Sequence, residues 1–285
     1  MAAAVLFGTV ALSPFAAGAD PTPFRSVQTT AEEPVDLELV IAVDVSLSMD
    51  VDEQALQREG YVKAFLDPMV VNAIEQGIHG KIAVAYVEWA GSISQYVVID
   101  WVAVDGKDSA AELSALLAEA PISRLRRTSI SGALTYSGQL FDDNGYRGMR
   151  RVIDVSGDGP NNQGGRVDTA RDAIIAGGVT INGLPFVPDP TKPLSLFDLP
   201  DLDIYYEDCV IGGAGSFSLP VYSAREFAEA IRNKLVLEIA GTNAPEETGP
   251  EETGPKPVPA SAAATRIPCD VGERQWQMFM DGDTP

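Results

Sequence analysis

The run Leu37-Glu38-Leu39-Val40-Ile41-Ala42-Val43-Asp44-Val45-Ser46-Leu47-Ser48 decides how the rest of the chain is read. Its first seven residues are apolar and mostly branched, Glu38 apart, which is the composition of a short strand buried on both faces. Beyond Val43 the chain is polar at every second position: Asp44, Ser46 and Ser48 are separated by Val45 and Leu47. Where a strand passes into a loop, alternate side chains can point the same way, so one carboxylate and two hydroxyls share a direction.

Working outward, apolar residues at helical spacing mark a helix over 52–65, broken by Asp67-Pro68 and continued by a turn or two over 69–74. Strands are predicted over 81–87 and 95–101. The short Ala90-Gly91-Ser92 turn between them makes an antiparallel hairpin. Helices come next over 109–119 and 129–141, then a strand over 151–156, a helix over 168–176 closed by Gly177-Gly178, and a strand over 179–184. Residues 186–210 are rich in Pro and Asp and read as irregular. Residues 216–220 read as a last edge strand. The helix over 223–239 carries Phe227, Ala230, Ile231, Leu235 and Ile239 on one stripe. Strands alternating with helices predict an α/β fold: a doubly wound, mostly parallel sheet with one antiparallel edge strand and helices on both faces. Ligands of such sheets bind at the carboxyl ends of strands, near the topological switch point.

Composition bounds the function. The 285 residues carry 41 acidic and 20 basic side chains, a formal net charge of −21, which argues against nucleic acid as partner. No stretch after residue 20 is long and apolar enough to span a membrane. The one histidine, His79, lies in the turn-like Gln76-Gly77-Ile78-His79-Gly80, so a histidine-based nucleophile site has little to build on. Cys209 and Cys269 form no CxxC, which disfavours a cysteine-bound metal. They leave either one disulfide or two free thiols, decided by the compartment.

Residues 1–19 hold no charge, run apolar from Ala2 to Leu12 and end in Ala17-Gly18-Ala19, the pattern of a secretory signal without its usual basic start. The expected organisation is a signal peptide at 1–19, a leader at 20–35, one domain at 36–240, a Pro/Glu-rich linker at 241–264 and a tail at 265–285. The linker repeats Pro-Glu-Glu-Thr-Gly in tandem. An exported protein, periplasmic or secreted, is expected to pair Cys209 with Cys269 and pin its tail to the domain.

Three segments carry candidate chemistry: Asp44-Val45-Ser46-Leu47-Ser48; Thr128, just before the helix that opens Ser129-Ile130-Ser131; and Asp158 in Gly157-Asp158-Gly159, past the strand from Arg151. Each alone also reads as a cap or turn residue. Together they offer two carboxylates and three hydroxyls at one sheet edge, an oxygen-only set suited to Mg²⁺, Ca²⁺ or Mn²⁺.

This arrangement resembles the von Willebrand factor A domain and its metal-ion-dependent adhesion site. That site has the pattern D-x-S-x-S, then a Thr in a loop before a helix, then an Asp in a T-D-G-like turn. The matching residues are Asp44, Ser46, Ser48, Thr128 and Asp158. Two departures stand out: the turn reads Ser156-Gly157-Asp158-Gly159, and Arg126-Arg127 precede the Thr where the family often has Gly-Gly. Within the superfamily, IAVDVSLSMD (41–50), RVIDVSGDGPNN (151–162) and YYEDCVIGG (205–213) are most similar to an exported bacterial family of unknown function. The resemblance implies a divalent ion held by the five residues, with one open position taken by an Asp or Glu carboxylate of a partner protein. It implies a binding module and not an enzyme. The alternatives are a metal-assisted hydrolase and a structural envelope domain without metal function.

Overall fold

The computed structural model describes residues 32–188, 191, 195, 197–241, 258–259 and 266–282. The expected signal peptide, and most of the expected leader and linker, lie outside them.

The central strand β1 (Glu33–Asp44) starts earlier than its apolar run. Its polar beginning pairs with the beginning of β4 (Tyr146–Gly157), which also starts earlier than expected. Glu38 secures this extension from a buried position, accepting hydrogen bonds from Asn144 Nδ2 (2.6 Å) and the Gly148 amide (2.5 Å). On the other side β1 pairs in parallel with β2 (Ile82–Trp89), and β2 pairs antiparallel with the edge strand β3 (Gln95–Val104). Beyond β4 lie β5 (Thr180–Pro185), the two-residue β6 (Phe217–Ser218) and the two-residue β7 (Val258–Pro259). The sheet order is β3-β2-β1-β4-β5-β6-β7. It is parallel from β2 to β6 and antiparallel at both edges, because β7 runs against β6. The second antiparallel pair is not legible in the sequence, since Val258–Pro259 lies in the stretch that reads as linker.

Alternation along β1 builds two cores. Leu37, Leu39, Ile41 and Val43 face one layer, formed by α1 (Val51–Leu66), α2 (Pro68–Glu75), α3 (Lys107–Glu119) and α7 (Phe227–Ala240). Val40 and Ala42 face the other, with α4 (Ile130–Gln139) and α5 (Val167–Ala176). Asp50 caps α1 in a capping box with Glu53, and Asp67 caps α2 ahead of Pro68.

Residues 186–210, irregular by composition, contain a short helix α6 (Leu202–Tyr205) running into a π turn (Tyr206–Val210). Leu202, Tyr205, Tyr206, Cys209 and Val210 are all fully buried against the second core. The tail contributes α8 (Val271–Asp281), and Cys209 is disulfide-bonded to Cys269 just before it. Connections leave β1 for β2 on one side and reach β4 on the other. The switch point therefore lies between the carboxyl ends of β1 and β4, where Asp44 and Asp158 stand.

Candidate metal centre

At the last residue of β1, Asp44 Oδ1 accepts a hydrogen bond from the Ser46 amide at 2.7 Å, closing a tight local turn. The Ser46 and Ser48 hydroxyls are 2.7 Å apart, and the Ser48 hydroxyl donates to Asp158 Oδ1 at 2.7 Å. Four of the five sequence candidates thus form one hydrogen-bonded row. Burial grades along it: Asp44 and Ser46 are buried, Ser48 is exposed, and Asp158 keeps part of its surface open. A cleft of about 600 Å³ opens beside Ser48 and Asp158, with Phe186, Tyr222 and Arg225 among its walls.

Thr128 joins through the backbone. Its loop runs beside the row, where Leu125 bridges to Ser46 and donates its amide to the Val45 carbonyl at 3.0 Å. The Thr128 amide donates to Asn162 Oδ1 (3.0 Å), and the Asn162 amide donates to the Thr128 carbonyl (2.9 Å). Asn162 lies four residues after Asp158, so one side-chain amide fixes the Thr128 loop to the Asp158 loop. Asn161 secures the next turn by accepting from the Ser131 amide at 3.0 Å. From α1, Gln54 donates to the Ser46 carbonyl (3.1 Å) and Gln57 to the Ser156 hydroxyl (2.9 Å). Sequence reasoning misses these four amide side chains. The adjacent Asn161-Asn162 after a strand-end Asp-Gly-Pro is the available signal.

Both departures from the family pattern have a physical account. Arg127 has φ 77°, the left-handed region that glycine enters without strain, so a Gly is natural there. The arginine in its place lays its guanidinium 3.4 Å from the ring centroid of Trp276 on α8. At Gly157, an added Cβ would stand 3.0 Å from Asp44 Oδ2 and 2.9 Å from the Tyr206 hydroxyl, so the extra glycine keeps that volume clear.

Two carboxyls stand close together in an enclosed place, and both are pushed up. Burial, and then the charge of Asp158, push the Asp44 carboxyl well above the usual range, against weaker lowering by its Ser46 and Asp158 donors. Enclosure pushes Asp158 up to about 7, with Glu53 and Asp198 adding to the rise and the Ser48 hydrogen bond opposing it. Asp44 Oδ2 is buried and has no hydrogen-bond partner among the described residues. A buried, unpartnered carboxylate oxygen in one row with a second carboxylate and two serine hydroxyls fits a hard dication. Among the described residues no three His, Cys, Asp or Glu side chains cluster as metal ligands, and a site of two carboxylates and three hydroxyls has a different composition. His79 lies ahead of β2, at the opposite end of the sheet. Its amide there donates to Asp36.

The fold is that of a von Willebrand factor A domain. Solved relatives include a von Willebrand factor type A protein from Catenulispora acidiphila (15% identity, TM-score 0.51, covering 72% of this chain and 43% of that one). Proximal thread matrix protein 1 of the mussel byssus, with a zinc-occupied MIDAS motif, matches at 13% identity and TM-score 0.50 over 73% of this chain and 49% of its own. The pilus adhesin SpaC from Lactobacillus rhamnosus GG matches at 11% and 0.51, over 72% and 30%. At such identities the likeness carries the fold alone, and the chain spans less than half the length of each. No curated protein matches it in sequence. The chain belongs to the family described as Protein of unknown function (DUF1194), whose model matches residues 34–243 and so includes all five candidate ligands.

Proposed function

We propose that the protein is an exported binding module, not an enzyme, that holds a divalent cation, Mg²⁺ or else Ca²⁺ or Mn²⁺, and uses it to capture an Asp or Glu carboxylate of a partner protein. The observation that carries this reading is the row from Asp44 through Ser46 and Ser48 to Asp158, buried at one end and open at the other. The buried end supplies charge to retain an ion, and the open end leaves room for a ligand from outside. Ser46, Ser48 and Thr128 would supply hydroxyl oxygens, and Asp44 and Asp158 would balance the charge. A bound dication would supply a Lewis-acidic position for an incoming carboxylate. Mussel and Lactobacillus relatives of the same fold, a byssus matrix protein and a pilus adhesin, are proteins of extracellular assemblies, which agrees with a binding role. The Cys209–Cys269 bond agrees with export, since disulfides persist in oxidising compartments. No helix among the described residues is long and apolar enough to cross a membrane.

The test is calorimetric titration of the full chain with Mg²⁺, Ca²⁺ and Mn²⁺, followed by capture of envelope proteins with and without EDTA. Wild type should bind one ion. Asp44→Ala should abolish binding, and Thr128→Ala should weaken it while leaving the fold intact. Ion affinity that survives Asp44→Ala would reject the site.

A further inference from the structure

The π turn carries a polar side chain that the five-residue row does not use. Tyr206 is fully buried, and its hydroxyl has no hydrogen-bond partner among the described residues. Asp44 Oδ2 is in the same condition. The two atoms border one small volume beside Gly157: a Cβ added there would lie 2.9 Å from the Tyr206 hydroxyl and 3.0 Å from Asp44 Oδ2. The ring approaches this point over the sheet. A Cβ on Gly183 of the neighbouring strand would lie 2.7 Å from Tyr206 Cδ1. Two glycines on adjacent strands therefore clear the path of one tyrosine, and its polar tip ends beside the buried carboxylate. A phenol carries its proton near neutral pH, so its hydroxyl is a donor facing an acceptor.

We propose that Tyr206 is a positioning residue of the ion site: its hydroxyl donates to Asp44 Oδ2, directly or through one water beside Gly157, and fixes the orientation of that carboxylate toward the cation. The proposal rests on the metal-binding reading above. It matches the common pattern in which a ligating or charge-balancing carboxylate is itself hydrogen-bonded from behind, and loss of such a partner typically lowers metal affinity about 10–100-fold. It also gives a role to the Tyr205-Tyr206 stretch of the chain, which the five-residue pattern leaves without one.

The experiment uses the full chain and three variants, Tyr206→Phe, Gly157→Ala and Asp44→Ala. Each is titrated with Mg²⁺ and Mn²⁺ by calorimetry and melted with and without the ion. Tyr206→Phe keeps the ring and removes only the hydroxyl and its bond to Asp44. Its ion-free melting temperature should fall by no more than the loss of one hydrogen bond explains, while its ion affinity falls about 10-fold or more and the ion-induced rise in melting temperature shrinks. Gly157→Ala fills the shared volume and should lose ion affinity in the same direction. Ion affinity equal to wild type in Tyr206→Phe, with Asp44→Ala unable to bind, overturns the role of Tyr206 and leaves the metal site standing. A fall in ion-free stability with unchanged affinity shows a packing role only and also overturns it. Wild type that binds neither ion, or Asp44→Ala that binds like wild type, overturns the metal reading and this proposal with it.

Discussion

Lys234 is one ammonium set between two carboxylates in the core under α7. Its Nζ lies 2.8 Å from Asp154 Oδ1 and 2.5 Å from Glu238 Oε1. Asn182 donates to Glu238 Oε2 at 2.6 Å, and the Phe217 ring lies 4.8 Å from the ammonium. All three charged side chains are essentially excluded from water. Lys234→Met would leave two buried carboxylates uncompensated, at an expected loss of about 3–5 kcal/mol near neutral pH. Burial already raises both Asp154 and Glu238 above their ordinary 3.8 and 4.5, and Lys234 is what holds them down. In the variant the folded state therefore binds more protons than the unfolded state from those ordinary values up to the raised ones. Its stability falls as pH rises through that window and recovers as pH falls. Urea unfolding near neutrality and at mildly acidic pH should show the deficit shrinking on acidification, and a deficit equal at both would mean that lost packing, not charge, is the cause. Sequence does not disclose this network. It does disclose Asp44, Ser46, Ser48 and Asp158 as a group, because alternation and strand ends are local signals. It cannot disclose Tyr206, whose relation to Asp44 is created by the glycines at 157 and 183.

The elements from the π turn to α8 show the same limit at larger scale. Leu202, Tyr205, Tyr206, Cys209 and Val210 repeat at the spacing of a buried helical face, yet the Pro- and Asp-rich surroundings hide the pattern and the helical piece is too short to announce itself. The strands and longer helices are legible because each carries its own period. The beginnings of β1 and β4 are not, because Glu33–Val35 is held by pairing with Tyr146–Gly148 and not by apolar content. α8 is polar overall and is kept in place by specific contacts. These include the bond from Cys269 to Cys209, the stack of Trp276 between Arg127 and Phe197, and the hydrogen bond from Asn161 Nδ2 to Glu273 Oε1 at 2.7 Å. Gly272 packs so closely that an added Cβ would stand 2.2 Å from the Asn161 carbonyl oxygen. Gly272→Ala should therefore push α8 away from the Asn161–Asn162 turn, and through it disturb the Thr128 loop. Faster proteolysis of the tail together with weaker ion binding is the expected result, and unchanged ion affinity would show that α8 and the site are independent. Opening the disulfide with Cys209→Ser and Cys269→Ser together should cost up to about 4 kcal/mol, since the bond closes a loop with a sequence separation of 60. Denaturant unfolding of oxidised wild type against the double variant measures it, and midpoints that coincide would mean the unfolded chain gains nothing from release.

For the molecule as a whole, a net charge of −21 sets the conditions under which the proposed ion site works. A partner that presents Asp or Glu approaches a surface of its own sign, so without a cation encounter is opposed. A dication at the open end of the row creates a short-ranged positive point inside that field, and the ion decides whether contact is made at all. The two effects respond differently to salt. Long-range repulsion is screened over about 8 Å at physiological ionic strength, whereas a carboxylate coordinated to an ion is in direct contact and feels salt much less. Association of an acidic partner should therefore become faster as NaCl is added in the presence of Mg²⁺, the reverse of the slowing seen when opposite charges steer two proteins together. In EDTA, binding should be absent at every salt concentration, because screening removes the repulsion without supplying an attraction. Surface-plasmon measurements of the association rate across a salt series, with Mg²⁺ and with EDTA, for wild type and Asp44→Ala, separate these cases. Association that slows with salt would place the contact on a basic patch such as the Arg124–Arg127 loop, and a carboxylate-to-ion contact would then be the wrong account of how this chain meets its partner.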